Sequence, residues 1–186
     1  MKHKFFISFV LFITLICLTS FNSKQDNDYI LLNKILEKVI DQNKTSNIVL
    51  DINNNNETVI SVVKKLKYFD EEKSKISFDS IRQEIRIYKD SKFLEIFNRN
   101  QYDYFISQKS NSEWDFNKVT NPKIIKNVKE KFTNKQVIVK VCKPIYTTDN
   151  KYALISISKK NSSYIVVFKK ENNIWNEFKI FSAILN

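Results

Sequence analysis

The chain has 186 residues, of which 42% are hydrophobic and 27% charged, a formal net charge of +11 and no glycine. This length is sufficient for one domain with its own core. Because P-loops, dinucleotide-binding G-x-G-x-x-G turns and G-x-S-x-G nucleophile elbows all need the backbone freedom of glycine, the composition excludes these three kinds of site.

The first residues have the organisation of a secretory signal peptide. A short basic start with Lys2 and Lys4 precedes an apolar stretch at residues 5–18, FFISFVLFITLICL. As a helix this stretch would extend about 21 Å, whereas the hydrocarbon core of a bilayer is roughly 30 Å thick. We therefore expect residues 1–20 to be a cleaved signal peptide. The mature protein is expected in the periplasm or outside the cell, without a transmembrane span.

The mature chain is expected to start between residues 20 and 25, within a polar leader at residues 21–27. A lipid anchor at Cys17 is an alternative, because bacterial lipoproteins keep an acylated cysteine just after the apolar stretch. The residue before that cysteine is normally Gly, Ala or Ser, whereas Ile16 occupies the position here. The sequence therefore favours cleavage. Cys142 is then the only cysteine of the mature chain, which excludes an intramolecular disulfide framework.

The mature chain keeps most of the basic charge. Lys2 and Lys4 are the only charged residues of the signal peptide, so its removal leaves a net charge of +9. Only three of the 31 basic residues are arginines, and arginine is the side chain that best recognises phosphates and base edges. The 22 asparagines, together with many Lys, Ile, Phe and Tyr, indicate A/T-rich codons. We therefore attribute the lysine excess to genome composition and expect no nucleic-acid partner.

Residues 28–43 predict an amphipathic helix that Asp28 caps. Its polar side, with Lys34, Glu37, Lys38 and Asp41, is expected to face water. Its apolar stripe follows the spacing i, i+1, i+4, i+5, i+8, i+9 and consists of Leu31, Leu32, Ile35, Leu36, Val39 and Ile40.

The next segments predict a short strand at residues 48–52 and a turn at 53–56, where four asparagines tolerate a left-handed backbone in place of glycine. Residues 57–69 predict a second helix, although their β-branched side chains also suit a strand. Residues 78–97 fit either periodicity. Helix or strand therefore stays open for residues 57–97.

Two further helical segments are expected before the sheet. Asn100 is placed to cap a short helix through Gln108, with Tyr104 and Phe105 facing inward. Pro122 is placed to start a helical piece through Phe132. The apolar side of that piece consists of Ile124, Ile125, Val128 and Phe132.

From residue 136 the pattern changes to strands at roughly ten-residue spacing, which is typical of an antiparallel meander. The strands are expected at residues 137–142, 152–158, 164–168 and 175–181, and the turns at 148–151, 161–163 and 171–173. The sequence thus predicts one α+β domain at residues 28–186, in which N-terminal helices pack on a C-terminal antiparallel sheet of about four strands in meander order.

Several segments of the second half resemble a known group of proteins. They are NRNQYDYFISQ at 98–108, Trp114 with Phe116, KPIYTTDNKYALI at 143–155 and FKKENNIW at 168–175. This pattern is similar to an uncharacterised family of small exported proteins of Bacteroidetes-type bacteria, in which a K-P-I-F, D-x-K-x-A-L-I hairpin precedes a K-K-x-N-x-x-W hairpin. The resemblance implies export and an α+β fold, and it implies no reaction. The chain departs from the family at residues 156–163, which lack its usual cysteine and glycine.

The mature chain lacks the side chains of several common chemistries. His3 is the single histidine and belongs to the signal peptide, so Ser-His-Asp and Cys-His catalysis and His-ligated metal sites are excluded. Cys142 is expected to be a buried structural thiol. Asp70, Glu71 and Glu72 predict a solvated turn rather than a catalytic carboxylate pair. The sequence therefore predicts no catalytic, cofactor-binding or metal-binding residue.

Four aromatic side chains, Tyr102, Trp114, Tyr164 and Trp175, are candidates to line a ligand groove, and we expect them to be core residues instead. The leading hypothesis is a non-enzymatic envelope module that binds an unknown protein, envelope component or small ligand. The alternative is a small enzyme with a cone of helix and curved sheet, whose pocket works with Asp, Tyr or Lys. A deep pocket with a desolvated carboxylate would favour the enzyme, and a filled core the binding module.

Overall fold

The computed structural model describes residues 26–43, 47–51, 55–72, 96–126, 136–159 and 162–182. The predicted signal peptide, the leader up to residue 25, the ambiguous stretch at 73–95 and residues 127–135 lie outside these ranges.

The described residues form an α+β fold whose secondary structure elements are numbered in chain order. Helix α1 occupies residues 26–42, and a 3-10 turn occupies Phe116–Lys118. The other helices are α2 (Glu57–Glu72) and α3 (Arg99–Ser107). The strands are β1 (Asn47–Asp51), β2 (Ile124–Lys126), β3 (Gln136–Val141), β4 (Ile145–Tyr146), β5 (Tyr152–Lys159), β6 (Ser162–Glu171) and β7 (Ile174–Ser182).

The strands form one mixed sheet of seven strands in the order β2-β1-β3-β5-β6-β7, with β4 also paired to β5. Strand β1 runs parallel to β2 and to β3, and all other described pairs are antiparallel. The predicted four-strand antiparallel meander is therefore correct only for the C-terminal part of a larger, partly parallel sheet. The helices are also not all N-terminal to the strands, because β1 precedes α2.

Helix α1 confirms the amphipathic helix that the sequence predicts at residues 28–43. Its six stripe residues are each at most 8% exposed, and full burial of one such side chain stabilises the fold by about 1.5–3 kcal/mol. The predicted cap is wrong, because residues 26 and 27 are already helical and Asp28 lies inside the first described turn. The side chain of Asp28 is buried and accepts a hydrogen bond from Tyr146 instead.

Helix α2 settles the open choice between helix and strand at residues 57–72. Asn55 accepts a hydrogen bond from the backbone N–H of Glu57 at 2.7 Å, and an i,i+4 ion pair joins Lys67 to Glu71 at 3.8 Å near the other end. The predicted solvated turn at Asp70, Glu71 and Glu72 is wrong, because the helix includes these residues.

Helix α3 begins two residues earlier than the prediction. Asn98, rather than Asn100, is the cap, since its side chain accepts from the backbone N–H of Asn100 at 3.1 Å. Phe105 is buried as expected, whereas Tyr104 is 37% exposed and Tyr102 takes the inward position. The difference follows from helical geometry, because residues 102 and 105 lie one turn apart on the same face.

The predicted helical piece after Pro122 is wrong where the structure describes it. Ile124–Lys126 is strand β2, which pairs with β1 so that Ile48 lies opposite Ile124 and Val49 opposite Ile125. Two adjacent isoleucines fit the apolar stripe of a helix, and they fit equally well a strand with an apolar residue on each face. The pairing with β1 decides in favour of the strand.

Asparagine replaces glycine in the turns at residues 148–151 and 172–173, as the composition predicted. The turn predicted at 161–163 is wrong for Ser162 and Ser163, which begin β6. The positive-φ residues of the described ranges are Asn150 at 54°, Asn172 at 49° and Asn173 at 63°. The last two are the central residues between β6 and β7, where positive φ at both positions matches the right-handed twist of a hairpin. This turn sets the Lys170 and Trp175 pairing at the start of the hairpin.

Gln101 of α3 and Gln108, the residue that follows this helix, bind backbone groups of β4 and of the turn after it. The Gln108 side chain donates to the backbone C=O of Tyr146 at 2.7 Å and accepts from its N–H at 3.0 Å. Gln101 accepts from the N–H of Thr148 at 3.0 Å. These amides supply hydrogen bonds that a neighbouring strand would otherwise supply to the backbone of Tyr146 and Thr148.

The start of α1 is fixed to the sheet by buried polar contacts. The hydroxyl of Tyr146 donates to Oδ1 of Asp28 at 2.5 Å, and Asp28 is 7% exposed. Burial and the neighbouring Asp28 carboxylate raise the pKa of Tyr146, so the hydroxyl stays a donor. Beside it, Trp175 donates its indole N–H to Asn27 at 3.1 Å.

We predict that Tyr146→Phe destabilises the protein by about 1–3 kcal/mol, because it removes the hydroxyl donor to a buried carboxylate. Urea unfolding monitored by circular dichroism measures the effect. Tyr104→Phe makes the same change on an exposed ring and is expected to stay within about 0.5 kcal/mol of wild type. Equal losses in the two variants would contradict the structural role of the Asp28 contact.

We predict that Asn173→Val destabilises the β6–β7 hairpin by about 1–2 kcal/mol, because a β-branched side chain disfavours a left-handed backbone. Asn173→Gly should cause no loss, since glycine adopts positive φ freely. Asn176→Val, in the extended part of β7, is the control that should be neutral. The midpoints of urea unfolding compare the three variants, and an unchanged midpoint for Asn173→Val would refute the assigned turn.

Candidate functional site

A surface groove runs between α1 and the last strands of the sheet, with a volume of about 340 Å³. We refer to it as the α1–β7 groove. The lining residues are Lys34, Ile35, Glu37, Lys38, Val39 and Asp41 from α1, Ile157 from β5, Tyr164, Val166 and Phe168 from β6, and Asn176 and Glu177 from β7. Volumes of this size are at the small end of the range for ligand pockets.

The floor of the groove is apolar. Tyr164, Val166 and Phe168 are alternate residues of β6 and therefore share one face of the sheet. Ile157 of β5 lies opposite Tyr164 in the strand register and belongs to the same face. Ile35 of α1 contributes from above. Tyr164 is the half-buried side chain of this floor, and the other floor residues are each at most 4% exposed.

The rim of the groove is charged. On the helix side, Lys34, Glu37, Lys38 and Asp41 follow the spacing i, i+3, i+4, i+7, which places them along one side of α1. On the strand side, Glu177 lies opposite Phe168 in the register of β6 and β7. The four helix residues were predicted to face water, and the structure shows that their side of α1 forms one wall of a groove.

One ion pair crosses the groove. Lys38 Nζ lies 2.6 Å from Glu177 Oε2, and the two side chains are 42% and 37% exposed. A pair with this exposure contributes about 0.2–1 kcal/mol to stability. Within the described ranges, Lys34, Glu37 and Asp41 make no ion pair, although Lys34 and Glu37 are spaced to form one.

Tyr164 is the polar group of the floor. Burial raises the pKa of its hydroxyl, and the negative charge of Glu177 adds to the shift, so Tyr164 is neutral at physiological pH. The ammonium of Lys159 lies 6.0 Å from the centre of the Tyr164 ring. Lys159 also donates to the side chain of Gln42 at 3.2 Å, which ties the end of α1 to β5 beside the ring.

Beneath α1 the interior is filled. Leu31, Leu32 and Leu36 are fully buried between helix and sheet. The buried polar residues of the described ranges are Asp28, Asn56, Thr147 and Ser156. Asn56 binds Gln108 and Ser110, and Thr147 binds Asp149 and the backbone of Tyr152. Asp28, Asn56 and Thr147 therefore make hydrogen bonds to other parts of the fold, and none of the four lines the α1–β7 groove.

Cys142 is a structural thiol, as predicted. It is 1% exposed and not part of a disulfide. Its sulfur accepts a hydrogen bond from the backbone N–H of Ser156 at 3.0 Å, at the break between β3 and β4 where a regular strand would present a carbonyl. Burial raises the pKa of the thiol from its ordinary value of 9.0 to about 11, which makes it a poor nucleophile at neutral pH.

Of the four aromatic residues considered as ligand contacts, three belong to the core and one lines the α1–β7 groove. Tyr102, Trp114 and Trp175 are each 2% exposed, which confirms that they are core residues. Trp114 donates its indole N–H to the backbone of Val141 at 2.8 Å. Tyr164 is half-buried and lies in the floor of the α1–β7 groove. Sequence reasoning did not single out Glu177, because no sequence pattern shows which helix lies opposite β7.

Over the described ranges, no group of three or more His, Cys, Asp or Glu side chains is placed to hold a metal ion. None of the helices in these ranges is long and apolar enough to cross a membrane.

Comparison of the chain with protein-family models, with curated proteins and with solved structures finds no match. The resemblance to exported Bacteroidetes-type proteins therefore stays a prediction.

We predict that Cys142 makes the protein less stable at alkaline pH. The folded state keeps the thiol proton up to a pKa of about 11, whereas the unfolded state releases it above the ordinary value of 9.0. Its stabilising effect is thus complete below pH 9 and is lost as the pH rises towards 11. Between pH 8 and 10 we expect wild type to lose about 1 kcal/mol more than Cys142→Ala in urea unfolding.

Tyrosine titration in this pH range is common to both proteins and cancels in the comparison. Thiol labelling with dithionitrobenzoate at pH 8 is the second measurement, and it should be slow in the folded protein and complete in urea. Rapid labelling of the folded protein, or identical pH dependence of the two variants, would contradict the buried thiol.

Proposed function

We propose that the protein is an exported, non-enzymatic binding module of the cell envelope and that the α1–β7 groove is its binding site. The observation that carries the proposal is the combination of a hydrophobic floor with a charged rim at the protein surface. Ligand sites have this composition, because apolar surface supplies affinity and a few polar groups fix orientation.

The unpaired rim charges support binding rather than a purely structural role. Lys34, Glu37 and Asp41 make no ion pair within the described ranges, and the i,i+4 pair of like charges Glu37 and Asp41 is slightly unfavourable for an isolated helix. A ligand that contacts these groups would compensate that cost.

The enzyme alternative lacks a supporting observation at the groove. Glu37 and Asp41 are exposed and Glu177 is in an ion pair, whereas a general acid at neutral pH needs a desolvated carboxyl group. The polar residues beneath α1 serve the fold. The geometry therefore supports binding without chemistry better than the cone-type enzyme.

Export is supported by the sequence of residues 1–20, with its basic start, apolar stretch and polar exit. We propose a periplasmic or secreted protein with a cleaved signal peptide. A lipid anchor at Cys17 is the alternative, and the mass of the mature protein distinguishes the two.

We predict that protein purified from the envelope of its native cells carries a ligand in the groove. Native mass spectrometry should show a bound mass that is released on unfolding. Asn176→Trp places a large side chain at the exposed rim without entering the core, and it should reduce the bound fraction at least tenfold by steric exclusion. The same spectra should show a chain that starts between residues 20 and 25.

Asn117→Trp is the matched control, because Asn117 is exposed on the 3-10 turn and does not line the groove. This variant should keep the wild-type bound fraction. A wild-type protein without bound mass, or equal occupancy in Asn176→Trp, would refute the groove as the binding site. A diacylated chain starting at Cys17 would refute cleavage of residues 1–20.

A further inference from the structure

We draw no further inference here: the strongest candidate, the surface patch on the sheet where Ile125 of β2 and Ile138 of β3 flank Val49 of β1 and are 40% and 38% exposed, carries nothing because nothing in the part of the chain that the structure describes shows what covers it.

Discussion

Helix α1 is held on the sheet at its first turn by buried polar contacts and along its length by an apolar stripe. Asp28 accepts from Tyr146 of β4, and Asn27 accepts from Trp175 of β7, so the helix is tied to two different strands of the sheet. Tyr29 adds a third contact through Asp115, whose backbone N–H donates to its hydroxyl. Because a buried carboxylate is costly unless it is hydrogen-bonded, these contacts restrict where α1 can lie.

The position of α1 in turn creates the α1–β7 groove. The stripe directs one side of the helix into the core, and the neighbouring side, with Glu37 and Asp41, then overhangs β6 and β7. The strand register places Phe168 opposite Glu177, which brings an aromatic ring and a carboxylate to the same part of the groove. The groove therefore consists of residues of α1, β5, β6 and β7, and none of its lining residues comes from a loop.

In this glycine-free chain, residues with side-chain amides occupy the positive-φ turn positions and hydrogen-bond to backbone groups of other elements. Asn172 and Asn173 adopt positive φ in the last hairpin, and Gln108 binds the backbone of Tyr146 as a neighbouring strand would. Asn56 joins the start of α2 to the segment after α3. An amide carries both a donor and an acceptor, so it can satisfy a backbone N–H and C=O together. The composition predicted the turns, whereas the cross-element bonds of Gln108 and Asn56 depend on partners distant in sequence.

The sequence by itself determined the α1 stripe, the last three strands, the asparagine turns and the buried thiol of Cys142, because each depends on local periodicity or on the chemistry of a single residue. It misassigned Ile124–Lys126, the cap at Asp28 and the inward side of α3, and it left helix or strand open at α2. Only the tertiary structure decided the parallel pairing of β1, the burial of Asp28 against Tyr146 and the meeting of Glu37 and Asp41 with Tyr164 and Phe168. The physical reason is that these features join residues far apart in the chain, and periodicity shows which face an element buries without showing what that face meets.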